Sequence, residues 1–100
     1  KGLIEYIIML LLEKQTFYGY DLIDKIRTMS HIEIAEGTLY PLLNRLKKDG
    51  LVTSRWQEME SGIPRKYYTL TPTGKAQIEL MNAYFTEIGF SLKKIKEFQP

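Results

Sequence analysis

The side chains best equipped for chemistry lie between Glu36 and Lys66, and they are hydrogen-bond donors and cations rather than nucleophiles. Thr38, Tyr40, Asn44, Arg45 and Lys48 come first, and Arg55, Arg65 and Lys66 follow after a glycine. Asn and Arg can match the edges of base pairs, while Thr, Tyr and Lys suit phosphate oxygens. From Asn44 to Lys66 there are six Lys and Arg against three Asp and Glu. The whole chain has a net charge of only +2, so affinity for a polyanion has to come from this local excess. Other chemistry finds little material. His31 is the single histidine and there is no cysteine, which removes disulfides, thiolate catalysis and a cysteine zinc site. Asp21 with Asp24, and Glu58 with Glu60, read as solvated carboxylates. No Ser/His/Asp set, metal-ligand cluster or glycine-rich phosphate loop is present. The expectation is a non-enzyme that needs no cofactor.

The elements that must hold these residues follow from periodicity. Leu39, Leu42, Leu43 and Leu46 fall at i, i+3, i+4 and i+7, one apolar stripe of a helix. Gly37, Pro41, Asn44 and Lys48 lie opposite that stripe, and Thr38, Tyr40, Arg45 and Lys47 flank it. Such a helix suits the major groove, although an ordinary solvated face has the same pattern. Asp49-Gly50 ends it, because glycine takes the left-handed conformation of a helix C-cap. Leu51 to Gln57 and Tyr67 to Leu70 are rich in β-branched and aromatic residues and predict two strands. Between them Ser61-Gly62 is the expected turn, and Pro64 sits where an edge strand tolerates it. Arg55, Arg65 and Lys66 then stand at the root of a hairpin, with Glu58 and Glu60 at its tip opposing deep insertion. Upstream, Tyr18 to Met29 predicts another helix, with Leu22, Ile23, Ile26 and Met29 at core spacing. At its start Tyr18 can meet a phosphate, whereas Tyr20 is expected to pack beneath the helix. Ser30 to Ala35 links the helices and offers Ile32 and Ile34 as a short extra strand.

Helix, helix, then a basic hairpin is the outline of a winged helix-turn-helix. YGYDLI (Tyr18 to Ile23), GTLYPLLNRLKKDGLV (Gly37 to Val52), SRW (Ser54 to Trp56) and PRKYYTLTPTG (Pro64 to Gly74) closely resemble the PadR family of bacterial transcription regulators. The resemblance spans nearly the whole chain in order. It implies an α+β fold, mainly α with a small β-hairpin wing, and a long C-terminal dimerisation helix. It further implies a homodimer on palindromic double-stranded DNA, usually as a repressor. By the same resemblance Thr38, Tyr40, Asn44, Arg45, Lys48, Arg65 and Lys66 face the DNA, joined by Tyr18 from its own position. Two departures stand out. Members often have Ser-Pro before GTLY, where this chain has Ala35-Glu36, a weak cap. Many carry Arg where this chain has Ile63, which removes a cation from each wing.

The two terminal segments read as an assembly surface. Leu3, Ile4, Ile7, Ile8 and Leu11 form one face of a helix over 2–14, while Met9, Leu10 and Leu12 populate the others. A helix apolar nearly all round needs cover on more than one side. Thr71-Pro72 starts the last helix, with Thr71 as N-cap and proline at the first helical position. Beyond it Ile78, Met81, Phe85, Ile88, Leu92 and Ile95 make a heptad stripe, widened by Leu80, Tyr84 and Phe98. The expectation is a DNA-binding domain over 1–71 and a dimerisation helix over 72–100. Ile4, Ile8 and the heptad residues would lie in the seam, with the last helix of each subunit on the first helix of the other. The apolar run Leu3 to Leu12 is far too short to span a membrane, and no signal peptide is recognisable. With the missing cysteines, this fits a reducing cytoplasm.

Two further readings stay open. Ile63, Glu36 and the low net charge also fit a winged-helix protein-interaction module with weak or no DNA binding. Some PadR-like proteins with a single C-terminal helix hold flat aromatic compounds at the dimer centre, and Met81, Tyr84 and Phe85 could take a planar aromatic or phenolic effector there.

Overall fold

A computed structural model describes residues 2–100. Seven elements follow one another: α1 (Leu3–Lys14), β1 (Phe17–Tyr18), α2 (Gly19–Ser30), α3 (Glu36–Lys48), β2 (Val52–Gln57), β3 (Arg65–Leu70) and α4 (Pro72–Glu97). Four helices and a small antiparallel sheet give the expected α+β winged-helix architecture.

The leucine stripe of α3 does what its spacing predicts: Leu39, Leu43 and Leu46 are buried and Leu42 is partly so. The helix begins without a side-chain cap, since Ala35 offers none. Its end is closed by a Schellman motif. Gly50 adopts φ 76°, its N–H donates to Lys47 O at 3.0 Å, and Leu51 N–H donates to Leu46 O at 2.9 Å. This turn aims the chain into β2. The wing turn also lands where expected, with Gly62 at φ 83° and its N–H donating to Met59 O at 2.8 Å.

The sheet order is β1-β3-β2, and here one expectation fails. The third strand is Phe17–Tyr18, paired with Tyr68 and Tyr67, not the Ile32–Ile34 segment. One edge of β3 is taken by β2 and the other by β1, while Ile34 instead buries its side chain in the core. Cross-strand register puts Val52 opposite Leu70, Ser54 opposite Tyr68 and Trp56 opposite Lys66. That face runs from the core at one end to open groove at the other.

A single core joins every helix: Ile8, Met9 and Leu12 of α1, Leu22 and Ile26 of α2, the α3 leucines, and Ile78 of α4. The boundary expected at 71/72 is therefore no packing boundary. Thr71 caps α4 by accepting from Gly74 N–H at 2.9 Å and ties it back by donating to Gly50 O at 2.7 Å. Gly74 packs so tightly that a Cβ there would meet Leu51 O at 2.2 Å.

Two residues expected in a dimer seam are corrected by this packing. Ile8 and Ile78 are 0% and 1% exposed within a single chain, so neither has surface left for a partner. Ile4 and Met81 are partly buried against the same core. The face of α4 beyond them is held by Tyr6, a residue that the apolar stripe of α1 leaves out. Its ring stacks on Phe85 at 4.6 Å and 15°, and its hydroxyl donates to Asn82 Oδ1. Farther along, Leu80, Tyr84, Phe90, Leu92, Ile95 and Phe98 are exposed, and the chain measures 63 × 27 × 21 Å. No helix among the described residues is long and apolar enough to cross a membrane.

Candidate nucleic-acid interface

Tyr40 and Asn44 stand one turn apart on α3 and look toward the wing. Tyr40 reaches across the start of α2, where Gly19 leaves the room: a Cβ on Gly19 would lie 2.5 Å from the Tyr40 hydroxyl. From the other side come the wing cations. Arg65 lies 4.4 Å over the ring of Tyr18, which meets Tyr67 edge-on at 5.5 Å. The Lys66 ammonium sits 5.6 Å over Trp56 and 6.0 Å over Tyr68. Neither cation has an ion-pair partner among the described residues, where the only salt bridges are Arg27–Asp24 and Arg45–Glu5. Cation–π contact of this kind holds a side chain in place without neutralising it.

These residues enclose a groove of about 680 Å³ between α3 and the wing, lined by Tyr18, Tyr20, Tyr40, Asn44, Trp56, Arg65 and Lys66 among others. Burial raises the Tyr40 pKa, with the Glu36 charge adding to it, and burial followed by Tyr40 itself raises that of Tyr68. Tyr18 is pushed up by burial and then by Asp21, against the opposing pull of Arg65. All three hydroxyls stay neutral at physiological pH, since each pKa lies above the ordinary tyrosine value.

The structure thus gathers Tyr18, Tyr40, Asn44, Arg65 and Lys66 around one groove, with Thr38 and Lys48 exposed elsewhere on α3. Arg45 goes the other way. It flanks the opposite side of α3, and its guanidinium donates to Glu5 of α1 at 2.9 Å. Tyr20 also departs from expectation: it is 63% exposed at the groove mouth rather than packed under α2, because Gly19, Leu22 and Ile26 supply the buried face. Trp56 is absent from the site residues expected from sequence, yet it is the ring beneath Lys66. Strand alternation is the signal that points to it, since residues 52, 54 and 56 share a face with 66, 68 and 70.

The sequence pattern of the transcriptional regulator PadR-like family matches residues 7–80. The chain belongs to that family. A PadR-like transcription factor from Bacteroides fragilis is 42% identical, with 94% of this chain and 90% of that one covered at a TM-score of 0.82. A PadR family transcription regulator from hypervirulent Clostridium difficile is 33% identical and covers 94% and 98% at a TM-score of 0.85. Among curated proteins, an uncharacterized protein of Lysinibacillus sphaericus is 31% identical over 88% of this chain and 83% of its own length. This PadR-like chain is accordingly a transcriptional regulator with a winged-helix fold. Its two departures from the family pattern are visible in the fold: Ala35 leaves α3 uncapped by a side chain, and Ile63 stands 68% exposed on the wing.

Proposed function

We propose that the protein is a cytoplasmic homodimeric regulator that binds palindromic double-stranded DNA, probed by α3 and gripped by the wing, and acts as a repressor. The observation that carries this reading is the convergence of Asn44 and Tyr40 of α3 with the unpaired cations Arg65 and Lys66 around one groove. Asn44 reads a base edge from the polar face of α3, while Thr38, Lys48, Arg65 and Lys66 hold phosphates. Two copies joined through the exposed part of α4 set their recognition helices one DNA turn apart, roughly 34 Å. The exposed stripe of Leu80, Tyr84, Leu92, Ile95 and Phe98 supports that pairing, with Phe85 and Ile88 at its margin. A planar aromatic or phenolic effector at the dimer centre would meet Tyr84 beside Met81. One face of Phe85 is already occupied by Tyr6.

The test is a binding titration on the protein's own promoter and on random duplex. Lys48→Ala and Lys66→Ala are expected to weaken both about equally and to lower the salt slope by about 1 for each phosphate no longer held. Asn44→Ala is expected to erode preference for the promoter by roughly 1–3 kcal/mol at the base pair it reads. Undiminished affinity in all three variants would favour the protein-interaction module instead, a reading that draws on the pairing of Arg45 with Glu5.

A further inference from the structure

The groove between α3 and the wing has aromatic walls, formed by Tyr20, Tyr40 and Trp56 among others. In a duplex the faces of the bases are stacked on one another, and only their edges and the phosphates are open to a protein. Aromatic side chains that receive base faces belong instead to sites for unpaired nucleotides. Here Trp56 and Tyr20 are 66% and 63% exposed at the groove mouth, and Tyr40 continues the aromatic wall inward. Asn44 adds an amide with one donor end and one acceptor end, which matches the edge of a purine. Arg65 and Lys66 bring two positive charges with no carboxylate partner among the described residues. The volume of about 680 Å³ is ample for a base, a sugar and a phosphate, within the roughly 300–1,000 Å³ usual for ligand sites.

From this combination we infer that the groove is a binding site for a free mononucleotide. The base stacks on Tyr20 and on the face of Trp56 that Lys66 leaves open, with its edge toward Asn44, and the phosphate lies against the Lys66 ammonium, with Arg65 at the Tyr18 end of the groove. The site is separate from any effector position at the dimer centre, because it is built from Tyr18 of β1, α2, α3 and the wing of one chain, with no residue of α4. Its occupant would exclude DNA directly, by using the same cations, and no change in dimer geometry is needed. Exclusion rests on the DNA-binding reading above, whereas nucleotide binding itself does not.

The experiment uses Trp56, the only tryptophan, as its own reporter. AMP, adenosine and inorganic phosphate are titrated against the full chain while its fluorescence is followed. AMP is expected to quench saturably, with half-saturation below about 1 mM, a binding energy of roughly 4 kcal/mol. Adenosine and phosphate, each lacking half the recognition, are expected to bind at least about tenfold more weakly, a difference of about 1.4 kcal/mol. Lys66→Ala and Arg65→Ala should each weaken AMP several-fold, and Tyr84→Ala at the dimer face should leave it unchanged. Amide shifts of the wild-type protein give a second readout that needs no variant: the Trp56 indole and the Asn44 side-chain amide should move together. Phosphate matching AMP, quenching that never saturates, or shifts that map to α4 would each overturn the inference. If AMP binds but operator affinity is unaffected by it, the nucleotide site stands and the DNA reading of this groove falls.

Discussion

Arg45 on α3 and Glu5 on α1 form a charge-assisted hydrogen bond at 2.9 Å, forty positions apart in sequence. Glu5 retains only 20% side-chain exposure and Arg45 56%. The carboxylate therefore holds the guanidinium toward the protein, on the flank of α3 away from the wing groove. Glu5 is followed by Tyr6, whose ring and hydroxyl contact Phe85 and Asn82 of α4. Adjacent residues of α1 thus touch α3 on one side and α4 on the other.

Freeing Arg45 should strengthen DNA binding. Glu5→Gln is expected to raise affinity for any duplex and to steepen the salt slope by about 1, as Arg45 gains a phosphate. In an Arg45→Ala background the same substitution should lose most of that effect. Thermal stability should change by less than about 1 kcal/mol, as for other exposed pairs. A salt series of binding titrations on the four proteins checks this; an equal gain with and without Arg45 would show that only the net charge mattered.

Exposed and buried positions of α4 should separate assembly from folding. Ile95 is 70% exposed and Ile78 1%. With the pairing through α4 proposed above, Ile95→Glu is expected to give a folded monomer, because it would place a charge in each half of that proposed seam while leaving the protomer core intact. Ile78→Glu should unfold the protomer, since a buried unpaired charge has no partner there. Sedimentation and circular dichroism distinguish the two; a dimer that survives Ile95→Glu refutes the placement of the seam.

The uncapped start of α3 is an opening for stabilisation. Ala35 already has the extended backbone of an N-cap, φ −85° and ψ 156°. Ala35→Ser would add a side-chain acceptor for the N–H groups of the first turn, worth about 1 kcal/mol. At fixed protein concentration, Tm is expected to rise by roughly 4–8 °C for a domain this size. No rise would mean that Glu36 and the dipole already satisfy that turn.

Alkaline pH should destabilise the fold through its groove tyrosines. The folded pKa values of Tyr40 and Tyr68 lie above the ordinary tyrosine value, chiefly because burial disfavours the phenolate. Their contribution to stability is complete below the unfolded pKa of about 10. It is lost as pH rises through that value toward the folded pKa, because the unfolded chain can then ionise and the native one resists. Chemical denaturation between neutrality and about pH 11, with tyrosinate absorbance recorded in parallel, should show stability falling only above about pH 10. Tyr68→Phe should blunt the fall.

Local pattern determined much of this protein. The leucine stripe of α3, the glycine turns at Gly50 and Gly62, the β-branched runs of the wing and the Thr71-Pro72 start of α4 are each legible, because helix period, strand period and positive φ are properties of a few neighbouring residues. Family membership is legible for a related reason, since GTLYPLL and PRKYY preserve those local choices in order. Tertiary structure decided what no local pattern encodes. It chose Phe17–Tyr18 over Ile32–Ile34 for the free edge of β3, turned Arg45 to Glu5, and exposed Tyr20 while Tyr40 lies across Gly19. It also split one continuous heptad stripe between two uses, with Ile78 in the protomer core and Ile95 in the open. Periodicity says which side of a helix is apolar; what covers that side depends on where the rest of the chain ends up, and α1 is long enough to cover only the first part of α4.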